Sequence, residues 1–367
     1  MCLSLSRSVG KWVALCVVLT AVPCLGQTTW TGAVSTNWNT AGNWDTGIVP
    51  DATTDVIIAP AANQPSTYSA NPQSLDLTIQ SGATLTLSGG YDLSVAGDLT
   101  IDGSLQVTST TSLITVTGAW TNNGSFSHGS STVTFSGTAG LGGSSTSVFY
   151  YLTIASSTRT VTTAATIAAS LVINPGATLD ADAALDVNGA VTVSSGATFD
   201  TGTSTHKVAG SWTSNAAGAT TSGTGTIEFD GDGTVVTGAN SIPNMLVSAG
   251  SRLVNSSTIA GDVGMTGGAI TILYPTTTTV GGDATFTGGT FGSNGGTAIL
   301  DVAGDFAMGA AAGNLYAGTY IYCAGNWSST ATWNPAGGVV RLDSAAACTA
   351  SGSLTFFDLQ IAEGTKT

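Results

Sequence analysis

The sequence predicts an all-β chain wound as a right-handed parallel β-helix with about 21–22 residues per rung. Three observations predict it: a short phrase recurs with constant internal spacing, its glycines recur 21 residues apart, and two large repeats differ in length by about one such unit.

The phrase reads LSVAGDL from Leu93, LDVNGAV from Leu185 and LDVAGDF from Leu300, and each is followed 27 residues later by a tryptophan: Trp120, Trp212 and Trp327. Gly97 and Gly118, Gly189 and Gly210, and Gly304 and Gly325 are all 21 apart. Beyond each tryptophan the segments TVTF, TIEF and VVRL end at Phe135, Phe229 and Leu342, with Leu152, Leu246 and Leu359 seventeen residues further on. The tryptophans are separated by 92 and then 115 residues. Of that difference, 21 residues fall between Leu246 and Leu300, where Gly261 and Gly282 continue the series to Gly304 and Gly325.

Tandem sandwiches would be disturbed by a 21-residue insertion, because their strand order is closed. A solenoid absorbs it as one more rung. Alternation along Thr132, Val133, Thr134 and Phe135 fits strands with one inward face. Glycine is expected to serve corners that require positive φ. A mature chain of this length would give about 15–16 rungs and a rod of roughly 75 Å at ~4.8 Å per rung.

Residues 1–26 have the order of a secretory signal: Arg7 and Lys11, an apolar run from Trp12 to about Leu25, and a small-residue site near Gly26. The mature chain is expected to begin at Gln27. The apolar run is too short to span a bilayer, so no transmembrane helix is predicted. Residues 27–60 read as a Trp-rich cap and 61–367 as β-helix repeats. Loss of the signal leaves five basic residues against 21 acidic ones, a net charge of −16, which argues against nucleic acid. Only Cys323 and Cys348 remain, either as a disulfide, which an oxidising compartment would permit, or as two buried thiols.

The opening WTGAVSTNWNTAGNWDTGIVPDATTDVIIAP, with repeats such as AWTNNGSFSHGSSTVTFSG and FYYLTIASS, resembles bacterial secreted β-helix repeat proteins, including autotransporter-type and adhesin-like surface proteins. That resemblance implies an extracellular rod that presents adhesive or scaffolding surfaces to glycans or other surface proteins. Lys366-Thr367 align with Arg159-Thr160 inside a large repeat, so the stack is expected to be cut open at its C-terminal end, inviting end-to-end self-association.

No residue set amounts to an active site. Arg159, Arg252 and Lys366 occupy one repeat position and read as solvated turn residues rather than a basic site. Asp262, Asp283, Asp305 and Asn326 each follow a corner glycine; they read as turn residues bonding their own backbone, or as a ladder that Ca²⁺ could bridge. Glu228, Asp230 and Asp232 faintly resemble the start of a calcium loop, and Asp180, Asp182 and Asp186 could cluster as paired acids. His128 and His206 form no triad or metal cluster. Trp120, Trp212 and Trp327 suggest packing, whereas Trp30, Trp38 and Trp44 suggest a cap or, alternatively, a glycan-stacking surface. The expected function is that of a non-enzymatic, secreted or cell-surface, adhesin-like repeat protein without a cofactor; a carbohydrate-binding or polysaccharide-active β-helix is the alternative.

Overall fold

The computed structural model describes residues 26–312, 319–330, 337–344, 348–352 and 356–362. They form a parallel β-solenoid of about 14 turns with about 21 residues per turn. The single helical element among them is one 3-10 turn, Ala41–Asn43. The turn count falls short of the expected 15–16 partly because the first turn is long: Gln27–Trp30 pairs with Asp55–Ile58, 28 residues on.

Three faces enclose the core. Face 1 begins with Gln27–Trp30 and rises through Asp55–Ile58, Leu77–Ile79, Leu99–Ile101 and Trp120–Asn122. Face 2 begins with Thr84–Leu87, Ser104–Val107 and Ser125–Ser127. Face 3 begins with Gln73–Ser74, Leu93–Val95, Leu113–Val116 and Thr132–Phe135. Above these, the long strands Ser147–Ile154 and Ala165–Ile173 run through the corner between faces 2 and 3.

Alternation puts every second side chain inward, and neighbouring rungs stack like on like. One face 3 column reads Leu93, Ile114, Val133, Leu152, Leu171, Val191, Trp212 and Val235. All eight are buried. At ~25 cal/mol per Å² of apolar surface removed from water, such columns supply the main stabilisation of the rod.

The large repeat does not stack on itself. Trp120 lies on face 1, Trp212 on face 3 and Trp327 on face 2. From Trp120 to Trp212 the chain makes four full turns and passes two further faces; from Trp212 to Trp327 it makes five turns and two faces. The extra turn is the rung expected between Leu246 and Leu300. Each repeat is thus rotated about the axis by one face relative to the last.

One spacing needs correction. Phe135 registers with Ile154 and Phe229 with Val247, so Leu152 corresponds to Met245 and not to Leu246. Met245 is buried, whereas Leu246 lies on the outer side of its strand. The rung after Phe229 is one residue shorter than the rung after Phe135.

The corner glycines also depart from expectation. Gly97, Gly118, Gly189, Gly210, Gly261, Gly282, Gly304 and Gly325 are absent from the positive-φ residues. Glycine is required there by close approach: a Cβ on Gly304 would lie 2.2 Å from Asp283 Oδ1 and 2.6 Å from Gly282 O. On Gly189 it would lie 1.5 Å from Ala169 O.

Candidate functional site: corners, cap and the second face

Trp30, Trp38 and Trp44 are buried to within 3 %. Trp44 meets Trp30 and Trp38 edge-on at centroid distances of 5.0 and 4.8 Å, and the three are continuous with the core. Trp30 Nε1 donates to Asn63 O at 2.7 Å and Trp44 Nε1 to Trp38 O at 2.9 Å. No indole face is open to a sugar. Buried Asn43 organises the loop around them, accepting from the Val34 and Ser35 amides and donating to Asn37 O.

Cys323 and Cys348 are buried free thiols. Burial pushes the Cys323 thiol up to about 11, with smaller contributions from its neighbours, so it is not a reactive thiolate.

The arginines overturn their expected role. Arg159 and Arg252 are fully buried. Arg159 donates from Nη1 to Gly118 O (2.8 Å) and Gly140 O (3.3 Å) and from Nη2 to Thr117 O (3.4 Å), reaching two rungs back. Arg252 does the same one face round the axis, donating to Gly210 O, Val208 O and Ala209 O, the last two at 2.8 Å. The guanidinium carbons sit 4.3 Å from the ring centroid of Phe135 and 4.6 Å from that of Phe229. Gly233, the register partner of Arg252, keeps the path open, since a Cβ there would lie 2.7 Å from Nη1. Burial lowers both guanidinium pKa values to about 10, opposed by Asp98 at one site and by Asp230 and Asp232 at the other. With the corrected register, Arg159, Arg252 and Lys366 each fall seven residues after an aligned strand position, Leu152, Met245 and Leu359. Lys366 lies outside the described residues.

The aspartates after the corner glycines bond the next rung and not their own backbone. Each Oδ1 accepts the amide of the equivalent residue one rung on: Asp283 N to Asp262 (2.9 Å), Asp305 N to Asp283 (2.8 Å) and Asn326 N to Asp305 (2.7 Å). Asn244 begins this column and Thr349 N continues it on Asn326. A second column follows the corner before face 1, with Asp98 N on Asp76 and Ala119 N on Asp98. A glycine at the next corner allows the carboxylate to come this close, which explains the Gly-Asp pairing.

The acids Asp180, Asp182 and Asp186 are divided by a corner. Asp180 stacks under Asp200 on face 1; burial raises its pKa, with Asp182 and Asp200 adding to the shift. Asp186 is in register with Lys207 on face 2. Lys207 Nζ reaches Glu228 Oε1 at 3.7 Å and Asp230 Oδ2 at 4.0 Å, whereas Asp232 accepts the Ser251 amide at 2.7 Å. Among the described residues no group of three or more His, Cys, Asp or Glu side chains could hold a metal ion. Asp186, Lys207 and Glu228, with Ala165, Ala184 and Thr166, line a shallow open depression of about 430 Å³ on face 2.

His206 points into the core of face 2. Leu185 N donates to its Nδ1 at 3.2 Å, and its Nε2 faces Thr201 O at 3.0 Å, which fixes a neutral ring protonated at Nε2. Burial lowers its pKa, an effect that the Thr201 carbonyl partly opposes. No described helix is long and apolar enough to cross a membrane.

Residues 29–135 match a family described as "Domain of unknown function (DUF8693)", a match that runs from the Trp-rich segment through the lower rungs without a break at residue 60. No curated protein and no solved structure matches the chain.

Proposed function

We propose that the chain is a secreted or cell-surface, non-enzymatic rod that holds or spaces other components, adhesin-like in the broad sense. One observation carries this reading: the features preserved from repeat to repeat serve the rod itself. The tryptophans, the corner glycines and the two arginine clamps point inward or stitch corners. Because each repeat is rotated by one face, its equivalent residues are distributed around the axis and cannot converge on one substrate. The secretory signal read in residues 1–26 and a surface built from hydroxyls and excess acid support an extracellular setting.

The test has two arms. In a secreting host the chain should be exported with Gln27 as its first residue, read by N-terminal sequencing. The purified protein should release no reducing ends or unsaturated products from neutral or acidic polysaccharides. Turnover of any of them would overturn the reading.

A further inference from the structure

Face 2 changes construction just above Ser125–Ser127, where the separate strand ends and Ser147–Ile154 runs on through the corner. The register there shifts between Phe149 and Tyr151, so that Tyr150 alone faces both Ala168 and Ala169. Bulges of this kind re-aim side chains, and they are frequent beside binding sites. Tyr151 is 41 % exposed, and Tyr150 and His128 are partly so. The rings of Tyr150 and Tyr151 meet edge-on at 4.7 Å, and His128 lies 5.6 Å from Tyr150 at an interplanar angle of 32°. The rung above Tyr150 and Tyr151 carries Ala168, Ala169 and Ser170, so no large side chain approaches the rings from that side.

The open depression lies on face 2, and the tyrosines stand at its face 3 side, Tyr150 at the corner and Tyr151 on the first position of face 3. Val148, Thr166, Asp186, Lys207 and Glu228 form one outward column in register. Tyr150 lies two residues along from Val148, about 7 Å, and Asp186 two rungs above it, about 9–10 Å. By backbone spacing, the aromatic rings at the corner therefore flank the Thr166 and Asp186 positions at a separation on the order of 12 Å. The floor is alanine and threonine, too little apolar surface for a protein anchor. Lys207 is paired with Glu228 and Asp230 in a chain of net charge −14, which disfavours anionic ligands.

We propose that this patch binds a neutral oligosaccharide, its sugar faces against Tyr150 and Tyr151 and its hydroxyls toward Asp186 and Thr166. The proposal goes beyond the scaffold reading and fails separately from it, since a rod that binds no glycan is still a rod. The test is calorimetric titration of the purified full chain with β-1,4-linked hexasaccharides of glucose, mannose and N-acetylglucosamine, with hexagalacturonate as the anionic probe. At least one neutral hexasaccharide should bind and hexagalacturonate should not. The double variant Tyr150→Ala, Tyr151→Ala should weaken binding by about tenfold or more, and the double phenylalanine variant should restore it. Tyr151→Ser alone, which alters an exposed ring, should show a smaller loss at an unchanged melting temperature. Three results would overturn the proposal: no neutral hexasaccharide bound, hexagalacturonate bound more tightly, or affinity unchanged in the alanine variant.

Discussion

Two corners of the rod face the same accounting problem, and one of them adds a second device to the first. Where the chain turns, backbone groups leave the regular ladders and still need partners. At the corner that runs from Gly261 to Gly325, a carboxylate from each rung accepts the amide of the next. At the Gly210 corner a serine stands in place of the aspartate, and its hydroxyl accepts the Thr234 amide one rung on at 3.1 Å. In addition, a buried guanidinium there gathers the carbonyls of Val208, Ala209 and Gly210. The first device is modular and local, spanning one rung and repeatable without limit. The second is singular: it reaches two rungs back, spends a buried charge, and needs an aromatic ring and a glycine to admit it.

That difference predicts the size of what breaks. Arg252→Ala would strand three carbonyls and leave a cavity beside Phe229, a loss of about 3–5 kcal/mol. Arg252→Lys keeps the charge without the planar fork and should recover less than half of it. Chemical denaturation followed by circular dichroism measures both, with Arg159→Ala as a second instance one face away. If Arg252→Ala cost less than about 1 kcal/mol, the clamp would be an accommodation and not a support.

Corner glycines come next. A Cβ on Gly304 would meet backbone as well as carboxylate, whereas on Gly97 it would meet Asp76 Oδ1 at 2.1 Å and the nearest backbone atom, Leu75 O, only at 3.2 Å. Gly304→Ala should therefore cost about 2–3 kcal/mol whether or not Asp283 is shortened. Gly97→Ala should be substantially relieved by Asp76→Ala, a non-additivity that a double-mutant cycle would show. Removing one acceptor from the modular column is milder. Asp283→Ala should cost about 1 kcal/mol and speed hydrogen exchange at the Asp305 amide, while Asp283→Asn, which keeps an acceptor oxygen, should change little.

How far these corners could be read from sequence follows from what each device leaves in the chain. The rung length, the all-β class and the inserted rung are legible because stacked rungs repeat their spacing, and Gly-Asp recurs because its two halves act on adjacent rungs. Arg159 and Arg252 were visible as a constant repeat position, but an arginine in a polar stretch reads as solvated unless its aromatic partners, Phe135 and Phe229, are known to lie beneath it. The one-residue shortening after Phe229, which moves Met245 inward in place of Leu246, left no signal in the spacing of leucines. The rotation of each large repeat by one face could not be counted until strands were paired. At the corner between faces 2 and 3, the Tyr150–Tyr151 pair did carry a mark: an odd spacing between inward Phe149 and inward Leu152 breaks strict alternation, the sign of an irregular rung. Asp180 and Asp186, by contrast, are six residues apart and share no face, because a corner lies between them.

His206 combines both devices in one side chain, and its effect should be the smallest and the most pH-dependent. Its Nδ1 accepts an amide, as the aspartates do, and its Nε2 donates to a carbonyl, as the arginines do. Protonation would turn the acceptor into a donor facing the Leu185 N–H and place a charge in the core column between Leu185 and Ile227. Because burial holds its folded pKa below 6.5, the unfolded chain takes up the proton first as pH falls. The stability that neutral His206 provides is therefore fully present above the unfolded value of about 6.5 and is lost as pH drops from there to the folded pKa. The rod should lose stability between pH 7 and pH 5, and His206→Gln should flatten that part of the profile. If His206→Gln kept the full loss between pH 7 and pH 5, the acid-sensitive group would lie elsewhere, and corner satisfaction would not account for it.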